Sequence, residues 1–146
     1  MNVLLDTNVY VSYLLSREAT STVNTVVRTC LLQGEVQLFV PQEVIDELRE
    51  ISGRPKLKKV LPFDVIQRLV IQLQTLTIIV PPVAKPAAYA RDHKDDYLVV
   101  QSLLHRVDYL ISGDLDLLTL GAVESLKIVS PARFLDILQQ AEMIQR

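Results

Sequence analysis

Short, unbroken apolar runs alternate along the chain with longer stretches in which apolar residues recur every three or four positions. The runs fall at residues 3–5, 36–40, 76–80, 109–111 and 126–129. Being continuous rather than alternating, they read as parallel strands covered on both faces. The helical spacing between them predicts helices over residues 22–32, 41–51, 62–74, 95–106 and 131–144. Pro41 suits the first turn of the second of these, and Ser52-Gly53 suits its end. Strands separated by helices imply right-handed βαβ crossovers. The expected fold class is therefore α/β, a three-layer α/β/α sandwich around a central parallel sheet of about five strands. The prolines from Pro81 to Pro86 read as a stiff extended loop, too short to divide domains. Without repeats or low-complexity segments, residues 1–146 read as a single domain.

Composition narrows the class. The chain has 146 residues, 49% of them apolar, enough for a real core and too many for disorder. No apolar run reaches the roughly 20 residues of a membrane span. The start lacks the charged, apolar and small-residue order of a secretory signal. A cytoplasmic location with no membrane partner is expected. The single cysteine, Cys30, lies among Val26, Val27, Leu31 and Leu32 and reads as a core thiol. It cannot form an internal disulfide, and the usual zinc sites need more Cys or His than this chain clusters.

Net charge is −2, so binding to nucleic acid would need a local basic patch. The densest is Arg54-Pro55-Lys56-Leu57-Lys58-Lys59. Arg54, Lys56, Lys58 and Lys59 are therefore candidates for phosphate contacts, which position a nucleic acid without reading its sequence. Arg17, Arg91 and Lys94 are further candidates. A solvated loop is the alternative reading of such a charge run.

The acids carry more information. Asp6 directly follows the first apolar run, and ligands of open α/β sheets bind outside the carboxyl ends of the strands. Asp114 and Asp116 follow the run at 109–111, after Ser112 and Gly113. Asp95 and Asp96 open a helix that feeds the next strand, so its first turn belongs at the same edge. In the helix at 41–51 the apolar face is Val44, Ile45, Leu48 and Ile51. Glu47 lies about 90° from the centre of that face, where a side chain reaches a cleft. Glu43, Asp46 and Glu50 fall outside it and read as solvated. Asp6, Glu47, Asp96 and Asp114 thus converge from four elements, although periodicity does not separate Asp96 from Asp95. Two like charges 4 Å apart repel by about 4 kcal/mol at an effective dielectric near 20. A hard cation relieves that repulsion, and an all-oxygen ligand set suits Mg²⁺ or Mn²⁺. Taken singly, each acid could instead cap a helix or favour its dipole.

Three segments together resemble the PIN domain family: LLDTNVYVSYLL, PQEVIDELREISGRPK and RDHKDDYLVVQSLLHRVDYLISGDLDLL. The similarity is greatest to bacterial PIN proteins of the VapC kind, toxin components of toxin–antitoxin systems. The resemblance implies a metal-dependent endoribonuclease with Mg²⁺ or Mn²⁺. By position, Asp6, Glu47, Asp96 and Asp114 match the family's four acids, and Asp116 a less constant one. Asp6, Asp96, Asp114 and Asp116 would then serve the metal. Asn8 and Ser112 match supporting polar residues, Ser112 standing where threonine is commoner. Asp95 would support Asp96. The family also implies a homodimer and a cognate antitoxin protein.

The expected reaction is in-line attack of water on an RNA phosphodiester, with Glu47 completing the site or orienting the water. No histidine is required. His105, late in a helix, reads as structural or surface, and His93 lies near the acidic loop, where an auxiliary role stays open. Two rival readings remain. A haloacid-dehalogenase-like phosphatase also opens with an Asp after its first strand, but usually carries a second Asp where Asn8 stands. A non-catalytic PIN-like RNA-binding module would keep the fold without turnover.

Overall fold

The computed structural model describes residues 1–84 and 93–144. Arg91 and the end of the proline stretch lie outside the described residues, as does the side chain of His93. Six strands form one sheet: β1 (Asn2–Leu5), β2 (Gln37–Pro41), β3 (Ile78–Val80), β4 (Tyr109–Ile111), β5 (Ala122–Val123) and β6 (Leu126–Val129). Their order is β3-β2-β1-β4-β6-β5. All neighbouring pairs are parallel except β5 with β6. The helices around the sheet are α1 (Thr7–Leu15), α2 (Thr22–Leu32), α3 (Gln42–Ile51), α4 (Phe63–Leu76), α5 (Asp96–Leu104), α6 (Leu115–Leu120) and α7 (Pro131–Gln140). One 3-10 turn, His93–Asp95, leads into α5.

The mostly parallel α/β sheet agrees with the continuous apolar runs. Val3, Leu4 and Leu5 of the central strand are all buried, which requires cover on both faces. Several boundaries differ from the sequence pattern. Leu76 ends α4 rather than opening β3, because Thr77 closes that helix with its hydroxyl on the Leu73 carbonyl. The last helix stops at Gln140, and Glu142 turns back at φ +58°. A sixth strand, β5, is joined to β6 by Glu124-Ser125, with Glu124 at φ +54°. Cys30 is buried as expected, and burial pushes its thiol up to about 12. No helix among the described residues is long and apolar enough to cross a membrane.

Tyr10 is fully buried, and its hydroxyl has no hydrogen-bond partner among the described residues. An unpaired buried hydroxyl is costly, whereas an apolar ring of the same shape is not. Tyr10→Phe should therefore hold or raise stability by up to about 1 kcal/mol in urea unfolding. A loss of that size would show that the hydroxyl is bonded in solution.

Candidate functional site

The strand order reverses between β1 and β4, because the connections from β1 lead outward on one side and those from β4 on the other. Such a reversal opens a crevice at the carboxyl ends of the two strands. Asp6 and Ser112 stand at those ends. The Asp6 N–H donates to the Ile111 carbonyl at 3.0 Å, and the Ser112 N–H donates to the Val129 carbonyl at 3.0 Å. The sheet ladder thus extends one residue beyond each strand and fixes both side chains at the edge.

Ser112 joins two acids. Its hydroxyl, completely buried, donates to Asp6 Oδ2 at 2.8 Å and accepts from the Asp114 N–H at 3.0 Å. Asp114 caps α6, taking the Asp116 N–H on Oδ1 at 2.8 Å. A cavity of about 300 Å³ opens here, with Asp6, Thr7, Asn8, Glu47, Asp95 and Asp114 in its wall. Glu50, Ile51, Arg54 and Lys94 complete the lining. Five carboxylates and two cations therefore share one concavity. Arg54 pairs with Glu50 at 3.7 Å, both largely exposed, so the guanidinium can turn to a phosphate at little cost.

Asp96 is the first residue of α5 and 2% exposed, and it is not part of the cavity wall, which is formed there by Asp95. Asp116 is half-buried in the first turn of α6 and also lies off the wall. Lys56, Lys58 and Lys59 are exposed on tight turns after α3, with Leu57 half-buried beneath them. Arg17 is exposed elsewhere. His105 caps the end of α5 and stacks on Phe39 with ring centroids 5.5 Å apart, away from the acids.

Glu43 corrects the solvated reading of α3. It is half-buried, accepting the Val83 N–H at 3.1 Å and the Gln101 side-chain amide at 3.2 Å. Gln101 also donates to the Pro81 carbonyl at 2.8 Å. The helical pattern places Glu43 outside the apolar face, but the loop after β3 and α5 fold over it. Glu50 is exposed as expected and still reaches the cavity mouth. Tyr97, one residue beyond the acidic pair, was masked by its resemblance to a core position. It is 6% exposed and donates to Glu47 Oε1 at 2.9 Å. Its burial, with the nearby Glu47 charge, raises the phenol well above its ordinary value.

A profile of the PIN domain family matches residues 2–116, a span that takes in Asp6, Glu47, Asp95, Asp96, Asp114 and Asp116. The chain belongs to the PIN domain family. PIN domains are generally nucleases and generally use divalent metal ions. The solved PIN domain of human SMG5 aligns with a TM-score of 0.57, covering 94% of this chain and 99% of that one at 18% identity. At that identity the likeness concerns the fold. Among curated proteins, none is significantly similar to this chain in sequence.

The donor set fits a hard cation of a particular kind. All the candidate ligands are oxygens, and Asp6 is held in a setting that opposes its own charge. Among the described residues, however, no three acids close around a single point. An ion such as Mg²⁺ keeps several waters and needs only one or two carboxylates. The cavity suits that hydrated mode and not a cage made wholly of protein.

Burial is the main cause that raises Asp6 above its ordinary value near 3.8, with Glu47 and Asp114 adding repulsion; Ser112 and the Asn8 N–H act in the opposite direction. The folded chain therefore holds this proton more tightly than the unfolded chain does. The stabilising effect is complete below the ordinary value and is lost as pH rises through the raised one. Without metal at pH 7, Asp6→Asn should raise the Tm, and the gain should vanish as the pH falls toward that of a free aspartate. Parallel melts of both proteins across pH check this; a lower Tm for the variant at pH 7 contradicts it.

Proposed function

We propose that this PIN domain is a metal-dependent endoribonuclease. The supporting observation is the meeting of Asp6, Glu47, Asp95 and Asp114, from separate elements, on one cavity that also presents Arg54 and Lys94. Asp6 and Asp114 would hold Mg²⁺ or Mn²⁺, with Asp95 on the same wall serving it through water and Asp96 and Asp116 standing behind that wall. When bound, the ion supplies Lewis-acid charge to the phosphodiester oxygens. Arg54 and Lys94 place the phosphate. Tyr97 holds one oxygen of Glu47, leaving the other to orient water for in-line attack. Ser112 keeps Asp6 and the turn of Asp114 in register. The RNA chain leaves without any covalent intermediate on the protein.

The similarity of the three segments to VapC-kind proteins supports a finer reading. In it the protein is a cytoplasmic toxin, works as a homodimer and is restrained by a cognate antitoxin protein. A second reading, an RNA-binding module without turnover, draws on the open spacing of the acids.

End-labelled single-stranded RNA with Mn²⁺ should be cut internally. EDTA should abolish cleavage, and Asp6→Asn or Asp114→Asn should reduce it about 100-fold or more. Cleavage that survives both chelation and Asp6→Asn overturns the proposal. Turnover of a small phosphomonoester would indicate a phosphatase, and RNA retention without cleavage would select the binding module.

Lys56, Lys58 and Lys59 are exposed along the approach from α3. If all three meet phosphates, replacing them with Gln should flatten the log K against log salt slope by about two units. An unchanged slope assigns these lysines to the solvated surface.

A further inference from the structure

A second concavity of about 140 Å³ adjoins the acidic one and is lined by Asn8, Val9, Ser12, Val23, Gly113 and Pro131. Asn8 belongs to both walls, and Gly113 sits between Ser112 and Asp114. Building on the nuclease reading, we propose that this small pocket seats the base of the nucleotide next to the cleaved phosphodiester.

The character of the pocket selects such an occupant. None of its lining residues carries a charge, although it touches a cavity with five carboxylates. A phosphate would find no cationic side chain there. Drug-sized ligands occupy pockets of roughly 300 to 1,000 Å³, so this one takes a flat ring and little more. Val9, Val23 and Pro131 offer apolar contact to the faces of a ring. Asn8 and Ser12, both exposed, offer donors and acceptors of the kind that read the edge of an unpaired base.

The backbone adds a preference. Val9, Val23 and Pro131 lie in the first turns of α1, α2 and α7, so three helices of nine or more residues begin around the pocket. Their positive ends favour electron-rich groups such as base carbonyl oxygens. Position supplies the last argument. An RNA strand with a phosphate in the acidic cavity must place its neighbouring nucleoside close by, and the shared Asn8 wall puts this pocket within that reach. Phosphate contacts position a strand and base contacts specify it, so the pocket is the place for base preference at the cut.

Two variants narrow the pocket, and neither replaces an acid. Ser12→Phe acts from an exposed helical position. Gly113→Val acts where nothing lies within 4 Å of an added Cβ. The first measurement needs no cleavage. ¹⁵N-labelled protein in Mg²⁺ is titrated with each ribonucleoside 5′-monophosphate and, separately, with ribose 5-phosphate. The nucleotides should shift the amides of Ser12 and Val23, which are not bonded to the acidic site, and ribose 5-phosphate should leave those two in place. In Ser12→Phe or Gly113→Val those shifts should disappear while shifts at Arg54 remain. Equal shifts from ribose 5-phosphate, or none at the pocket up to the highest soluble nucleotide concentration, overturn the proposal. The second measurement compares kcat/KM for oligonucleotides differing only in the base beside the cut. Either folded variant should shrink the spread among bases about tenfold, and an unchanged spread counts against the pocket. A protein that cuts no RNA yet shows the base-dependent shifts would refute the nuclease reading and leave the base site standing.

Discussion

The site depends on two neighbouring strands that end side by side where the order of the sheet reverses. The bond from the Asp6 N–H to the Ile111 carbonyl sets the level at which β1 stops relative to β4. From that level the first residues past each strand, Asp6 and Ser112, meet within hydrogen-bond distance. A slip of β1 by one residue would turn Asp6 to the opposite face of the sheet, away from Ser112. Such a slip would draw a polar neighbour, Asn2 or Asp6, into a strand whose residues Val3, Leu4 and Leu5 are buried on both faces, which is costly. The hydrophobic core thereby fixes the position of a polar cluster that contributes nothing to it.

Charge is distributed unevenly around this point. Asp6 is almost wholly enclosed, while Glu50 and Arg54 remain in water at the mouth. The enclosed acid resists ionisation, and the outer charges are screened. Attraction for a small, hard cation is therefore concentrated at depth, and attraction for a long polyanion is left to the rim. The adjoining pocket with uncharged walls completes three zones: deep and acidic, outer and mixed, lateral and neutral.

Much of this was legible in the chain. The central strands announce themselves as continuous apolar runs, since both faces are covered, and Asp6 and Asp114 follow where those runs stop. Glu47 could be singled out on its helix because α3 is strongly amphipathic and its apolar stripe is unambiguous. Helix α1 carries a weak signal, its sequence TNVYVSYLL being apolar almost all round. Helix α6 is six residues long, too short for a period to show. Strand β5 has two residues and owes its existence to pairing with β6, a non-local event. The structural duty of Glu43 was hidden for the same reason, because its partners Val83 and Gln101 are 40 and 58 residues away. Whether Asp95 or Asp96 faces the cavity turns on the 3-10 turn before α5, which no helical period describes.

Glu43 and Glu47 are one turn apart on α3, and Gln101 and Tyr97 are one turn apart on α5. Glu43 meets Gln101 and Glu47 meets Tyr97, so two polar rungs join the helices in opposite chain senses. A slide of either helix along its axis, or a roll about it, would strain both rungs together. Any pull on the Glu47 carboxylate thus bears, through Tyr97, on the beginning of α5, where Asp96 stands.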